Sequence, residues 1–322
     1  MAVLDAYSQL TALEQVKRSG NEDQRRIIEE LTKTNELLLD APVVEANDRT
    51  VNTALQRTFI PHASHRVYNQ GVDAVATQTK TVHDYMCQLM AYSDVDVDLA
   101  NAAANKDQFI MDECAGIIQG MGEDQADDLI YGDHSANAEY CDGLATRRPS
   151  LAEGKCIDLG GTTAGGLTSL YIVKWSRMHT KLIYPKGATG CGVQRTFKGI
   201  QTVTDKDGKR YEAYQNIFKA DYGLACSTDK SIIRLANIDI TKTAGDDILK
   251  AIIKAVPHLI KGDGNIVVYS NADVFSLLDL AIIDKGNVNF QPNAPYGDAP
   301  LQFRGMKFRQ VDALLNTEDQ VQ

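Results

Sequence analysis

Long apolar runs are missing from this sequence. No segment approaches the roughly 18 to 20 apolar residues that a membrane helix needs. The opening MAVLDAYSQL has neither the basic stretch nor the continuous apolar core of a secretory leader, so the expectation is a chain that folds in the cytoplasm. Basic charge is also short. Lys and Arg number 33 against 43 Asp and Glu, a net charge of −10, and a surface of that sign repels phosphate backbones at long range. A general nucleic-acid binder is disfavoured. The six cysteines, Cys87, Cys114, Cys141, Cys156, Cys191 and Cys226, form no C-x-x-C pair and no zinc-ligand quartet. In a cytosolic chain they read as reduced, partly buried thiols that behave as small hydrophobes.

The marks of chemistry are equally thin. In GGTTAGGLTS, Gly161 and Gly166 have the separation of a phosphate loop, but Leu167 stands where that loop needs its lysine. The stretch reads as a linker or turn. Asp94, Asp96 and Asp98 start like a calcium loop, yet the sixth position is Leu99 and the twelfth Asn105, and the intervening valines suit a strand better. Of His62, His65, His83, His134, His179 and His258 only the first two are close, without H-E-x-x-H or a Cys/His quartet. There is no G-x-S-x-G elbow either. No catalytic, cofactor-binding or metal residue is assigned, and no cofactor is expected.

What is present is a chain of 322 residues, 43% hydrophobic, enough for one large domain or two ordinary ones. Asn21 as cap and Gln24 as its box partner open a helix whose thin stripe of Ile27, Ile28 and Leu31 needs another surface to lie on. From Ala41 to Ile60 strand-like segments carry Val43, Val44, Val51, Leu55, Phe59 and Ile60 among polar residues. PHASHRVYNQGVDAVATQTKTV follows with few large apolar anchors. That excursion reads as an extended hairpin or loop packing poorly on its own subunit, either an intersubunit arm or an ordinary surface hairpin.

The strongest helix signal spans 105–131, where Ile110, Cys114, Ile117, Ile118 and Met121 recur at three- and four-residue steps. Gly116, Gly120 and Gly122 inside it predict a bend or a close approach to another backbone. Past Gly132 the pattern turns to β: LTSLYIVKW, TKLIYPKG, a hairpin turning at Asp207-Gly208, and SIIRLANIDI. Helices over 245–256 and 272–283 enclose the strand NIVVYS, with Ser270 or Asn271 available as a cap, and a short hairpin turns at Arg304-Gly305. Helices and strands mix without a regular βαβ beat, which predicts an α+β fold.

Several phrases, in one order over most of the chain, resemble those of tailed-phage major capsid proteins of the Hong Kong 97 type, in a podovirus-like branch. TNELLLDAPVVEAN is similar to the start of that branch's extended loop and HRVYNQGVDAVATQTKTV to its descent. AYSDVDVDLAN and ADDLIYGD resemble the entry and exit of its spine helix. IYPKG, KADYGLAC, SIIRLANIDI, AIIDKGNV and FRGMKFRQVDALL match later phrases.

The resemblance implies an N-terminal arm over 1–40, an extended β loop over 41–104, and a spine helix with its exit over 105–165 in a peripheral domain. Residues 166–240 would add peripheral β structure, with a permuted strand order allowed, and 241–322 an axial domain. It implies intersubunit contacts through Val43, Val44, Phe59, Ile60, His62, His65, Tyr68 and Lys80, and spine packing through Ile110, Cys114, Ile117, Ile118 and Met121. Some family members cross-link Lys to Asn; Lys80 lies in the expected loop, but no residue is assigned that role. The implied function is an icosahedral head shell of hexamers and pentamers enclosing double-stranded DNA without sequence-specific binding. Portal, scaffold or cement proteins would be partners, with no membrane involved, and the virion would be assembled in the host cytoplasm. An encapsulin-like compartment subunit and a soluble α+β enzyme are the alternatives.

Overall fold

The computed structural model describes residues 37–285 and 302–322, apart from Ala104, Ala152, Glu153, Ala164, Thr189 and Arg304. The helix expected over 21–31 lies outside them. After a single helical turn, α1 (Leu37–Asp40), come β1 (Val43–Glu45), β2 (Val51–Phe59), β3 (Gln78–Tyr85) and β4 (Cys87–Asp96). Asp96 ends β4 by capping α2 (Val97–Ala102), accepting from the amides of Asp98 and Leu99. The aspartates once readable as a calcium loop thus lie on a strand end and a helix start. Asn105 caps α3 (Lys106–Tyr131), its Oδ1 accepting from Gln108 N at 3.2 Å. The helix is unbroken for 26 residues, about 39 Å at 1.5 Å each. A Cβ added at Gly116, Gly120 or Gly122 would meet nothing within 4 Å, so no close backbone approach is made there among the described residues. The helix stops at Gly132, where a Cβ would lie 2.4 Å from both Asp128 O and Cys141 O.

The β-rich half follows the expected order: β5 (Cys156–Asp158), β6 (Thr168–Trp175), β7 (Thr180–Tyr184), β8 (Gln194–Thr204), β9 (Arg210–Cys226) and β10 (Ile232–Ile238). Then come α4 (Gly245–Ala255), β11 (Asn265–Ser270), α5 (Ala272–Lys285), β12 (Gln302–Phe303) and β13 (Met306–Gln310). Asn271 caps α5 through its Oδ1 and Val274 N at 2.9 Å. The β8–β9 turn is built by Asp205, whose carboxylate accepts from Asp207 N and Lys209 N, with Gly208 at φ 77°.

Two units emerge. In one, formed among the described residues by 88–125 and 192–221, β8 pairs with the first part of β9 and β4 lies beside β9. In the other, formed by 37–87, 126–191 and 222–322, β6 is buried along its whole length between antiparallel β10 and β11. Parallel β13 continues the sheet beyond β11. Leu170, Ile172, Ile233, Leu235, Val268 and Phe308 receive Ile248, Ile252, Val274 and Leu278 from α4 and α5. A strand covered on both faces reads as a continuous apolar run, as LYIV does.

The division expected at 240/241 falls inside that core. Residues on both sides of the boundary share one sheet and one apolar cluster, so they belong to a single unit. The sheet also needs the segment after β13. Glu318, 8% exposed, receives Arg234 Nη2 at 2.9 Å and Tyr131 Oη at 2.6 Å and is bonded by the Ser169 hydroxyl. Burial, then the Glu318 carboxylate, pushes the Tyr131 phenol well above its ordinary value. Asn237, in the left-handed region at φ 58°, reads the Val321 backbone reciprocally, Nδ2 to O at 3.0 Å and N to Oδ1 at 2.8 Å.

Candidate assembly interface

β2 and β3 form a separate two-stranded antiparallel sheet, pairing from Val51–Tyr85 out to Phe59–Gln78. Alternation along β2 and β3 places one buried residue on each at the foot, Asn52 and Asp84, while further out the strands are exposed or half-buried. An isolated two-stranded ribbon is marginal in water because it has little to bury and two open edges. This one carries a series of uncovered apolar side chains, including Leu55, Phe59, Ile60, Val67, Val72 and Val75, with Tyr68 94% exposed. Single exposed apolar residues are ordinary on a surface, but a run of them on one projecting element marks a contact site.

The foot is held firmly. Asp84 is fully buried; its Oδ1 receives Arg147 Nη2 at 2.8 Å and Cys226 N at 3.3 Å, and its Oδ2 receives Asn52 Nδ2 at 3.5 Å. The same Arg147 nitrogen donates to Leu224 O at 2.5 Å. Asn47 pairs with the Thr53 backbone, Nδ2 to O at 2.7 Å and N to Oδ1 at 2.9 Å. Tyr85 stacks on His134 with ring centroids 3.8 Å apart. None of these residues was assigned a role at the hairpin from the sequence. A buried acid on a strand and a partly buried base 63 residues later leave no local pattern.

Of the expected contact residues, Phe59, Ile60, His62, His65, Tyr68 and Lys80 are all exposed on the hairpin or in the segment joining its strands. Val43 and Val44 are elsewhere. They lie on β1, which pairs in parallel with Leu182 and Ile183 of β7, leaving Val44 half-buried within its own unit. On α3, Ile110, Cys114 and Met121 are buried and Ile117 half-buried. Ile118 lies off the buried face of the subunit. It is 42% exposed, because eight residues at about 100° each turn it roughly 80° from Ile110. A cavity of about 470 Å³ opens beside Ile110, Met111, Arg195 and Phe197. Among the described residues no group of His, Cys, Asp or Glu could hold a metal ion. The glycine-rich loop is clipped instead, Thr163 Oγ1 to Asp239 Oδ2 at 2.9 Å, with the Lys242 ammonium on the same carboxylate at 3.1 Å.

A protein-family model described as major capsid protein GP7 matches residues 19–322. The chain belongs to the major capsid protein GP7 family. This capsid protein is 30% identical to a chain of the cryo-EM structure of bacteriophage Epsilon15, with a TM-score of 0.76, covering 100% of this chain and 99% of that one. The capsid of bacteriophage JBD30 matches at a TM-score of 0.51 and 12% identity, covering 92% and 97%. The SrpI encapsulin of Synechococcus elongatus PCC 7942 matches at 0.50 and 14%, covering 75% and 98%. At those identities the last two show the shared fold alone, and the encapsulin reading is not favoured. None of the curated proteins searched matches the chain. The protein is a structural subunit of a phage head shell with the Hong Kong 97-type fold.

Proposed function

We propose that this capsid protein closes its shell as hexamers and pentamers, with the β2–β3 hairpin and its tip as the arm by which each subunit grips its neighbours. The observation that carries the reading is the uncovered apolar series on a two-stranded ribbon with free edges, a segment whose ordering energy must come largely from outside its own subunit. The unit built on the first part of α3, β4, β8 and the first part of β9 is assigned as the peripheral domain, and the unit around β6 as the axial domain. The shell encloses double-stranded DNA in a particle assembled in the host cytoplasm, and portal, scaffold or cement proteins complete it. A net charge of −10 supports a wall that packaged DNA slides past rather than adheres to.

The test replaces residues 62–78 with a short Gly/Ser linker, which carries little loop-closure penalty. The expected outcome is a soluble, folded subunit that sediments as a small species where the parent forms megadalton particles. Particles as resistant to heat and denaturant as the parent's would make the hairpin surface decoration. Outright unfolding would place the segment in the core of one subunit.

A further inference from the structure

We propose that Arg147 and Asp84 are the positioning residues of the arm: a buried bearing that sets the angle at which the β2–β3 hairpin leaves its unit, and thereby the uniformity of the shell. The inference rests on the arm reading above. It starts from where the hairpin is held. Asn52 and Asp84 are directly paired across the ribbon, and they are its buried residues. Among the described residues the rest of the ribbon has no comparable anchor, so its direction is fixed at the foot, by the first two residues of β2 and the last two of β3.

The bearing itself joins three parts of the unit. Arg147, from the segment after α3, donates from one nitrogen to Asp84 of the hairpin and to Leu224 O of β9, and its Nε points to Asp142 O at 3.4 Å. Asp84 in turn accepts the Cys226 amide of the same strand. A guanidinium is planar and its donors are fixed relative to one another, so satisfying Asp84 and Leu224 O together defines an orientation, which a lysine ammonium would not. Burial opposes the arginine's charge, but the paired Asp84 carboxylate at 2.8 Å favours the charged guanidinium.

Leverage gives the bearing its importance. From Asn52 to Phe59 is seven steps, about 24 Å at roughly 3.4 Å each. A tilt of about 10° at the foot would move the far end by about 4 Å, more than the length of an N–H···O hydrogen bond at about 2.9 Å. A loosened foot therefore leaves the arm able to reach a neighbour but at variable angles, and the curvature between subunits varies with it.

The experiment compares full-length parent, Arg147→Lys, the double variant Asp84→Asn/Arg147→Met and the 62–78 linker replacement. The double variant leaves no buried charge without a partner, a change such sites commonly tolerate, so folding and positioning separate. Each protein is checked by thermal unfolding of the unassembled subunit and by electron cryomicroscopy of assembly products. The expected result is that Arg147→Lys and the double variant stay folded and assemble, but lose the parent's single diameter class to shells of mixed size and open sheets. Hairpin density should be blurred relative to the core. Uniform shells of parental diameter from both root variants, with the linker replacement still unable to assemble, would overturn the bearing and leave the arm intact. Parental shells from the linker replacement would overturn the arm itself. If the double variant does not fold, Arg147→Lys decides alone: uniform parental shells from it overturn the proposal, and mixed shells from a subunit melting near the parent support it.

Discussion

Glu318 draws three donors from three separate segments, and its ion pair with Arg234 has side chains only 8% and 7% exposed. Removing one member of a buried pair leaves the other charge without compensation, at a cost of about 3–5 kcal/mol. Glu318→Ala is expected to destabilise the unassembled subunit by that order in a denaturant titration, and an unchanged midpoint would show that the network is not needed. Asp40 gives a case with a sign in pH. Burial alone would raise its carboxyl, but hydrogen bonds from Arg309, at 2.7 Å, and Lys307, at 3.2 Å, hold it below its ordinary value near 3.8. Its contribution is therefore present above that value and lost as pH falls through the lower folded one. Asp40→Asn should melt earlier than the parent at pH 7, with the gap closing only below a pH of about 4. A gap that persists unchanged in acid would show that the carboxylate's charge is irrelevant there. Such residues were illegible in the sequence, since Asp40 and Arg309 stand 269 positions apart and nothing local in either segment points to the other. Exposed tip residues such as Tyr68 were legible, because a polar segment with few anchors has nowhere to bury them.

At the scale of elements, glycine separates two kinds of helix. Gly245, at the start of α4, would place a Cβ 2.2 Å from Leu277 O of α5, so the two helices touch through its missing side chain. Gly120 in α3 has open space. Gly245→Ala should cost about 1–3 kcal/mol through overpacking, whereas Gly120→Ala should add up to about 1 kcal/mol to the unassembled subunit by helix propensity. Paired thermal melts check both signs, and a loss at Gly120 would mean that α3 is covered there. The boundaries of α3, α4, α5 and β11 were readable to within two residues because caps and periodicity are local properties. β8 and β9 were longer than their visible cores. The sequence signal marked a hairpin around its turn at Asp207-Gly208, while the strands run for 11 and 17 residues. β8 is largely exposed, and a strand without a buried face has no apolar alternation to display.

For the whole molecule, the α+β class and the order of elements were legible, but the division into units was not. Each unit is discontinuous in the sequence, and the chain crosses between them within β4, α3 and β9 as well as in the loop before β8, whereas a reading that moves along the chain looks for boundaries between elements. The same discontinuity bears on time. Ser169 must wait for Glu318, 149 residues further on, and Asp84 for Cys226, 142 residues on. At roughly 5–20 residues per second of synthesis, each wait lasts about 7–30 s. The hairpin leaves the ribosome long before the strand that seats it, and the centre of the β6 sheet stays unsatisfied until Glu318 has been made. On the arm reading proposed above, nascent subunits on one message carry arms without a firm footing, and the order of synthesis itself holds back their engagement until β9 has been made.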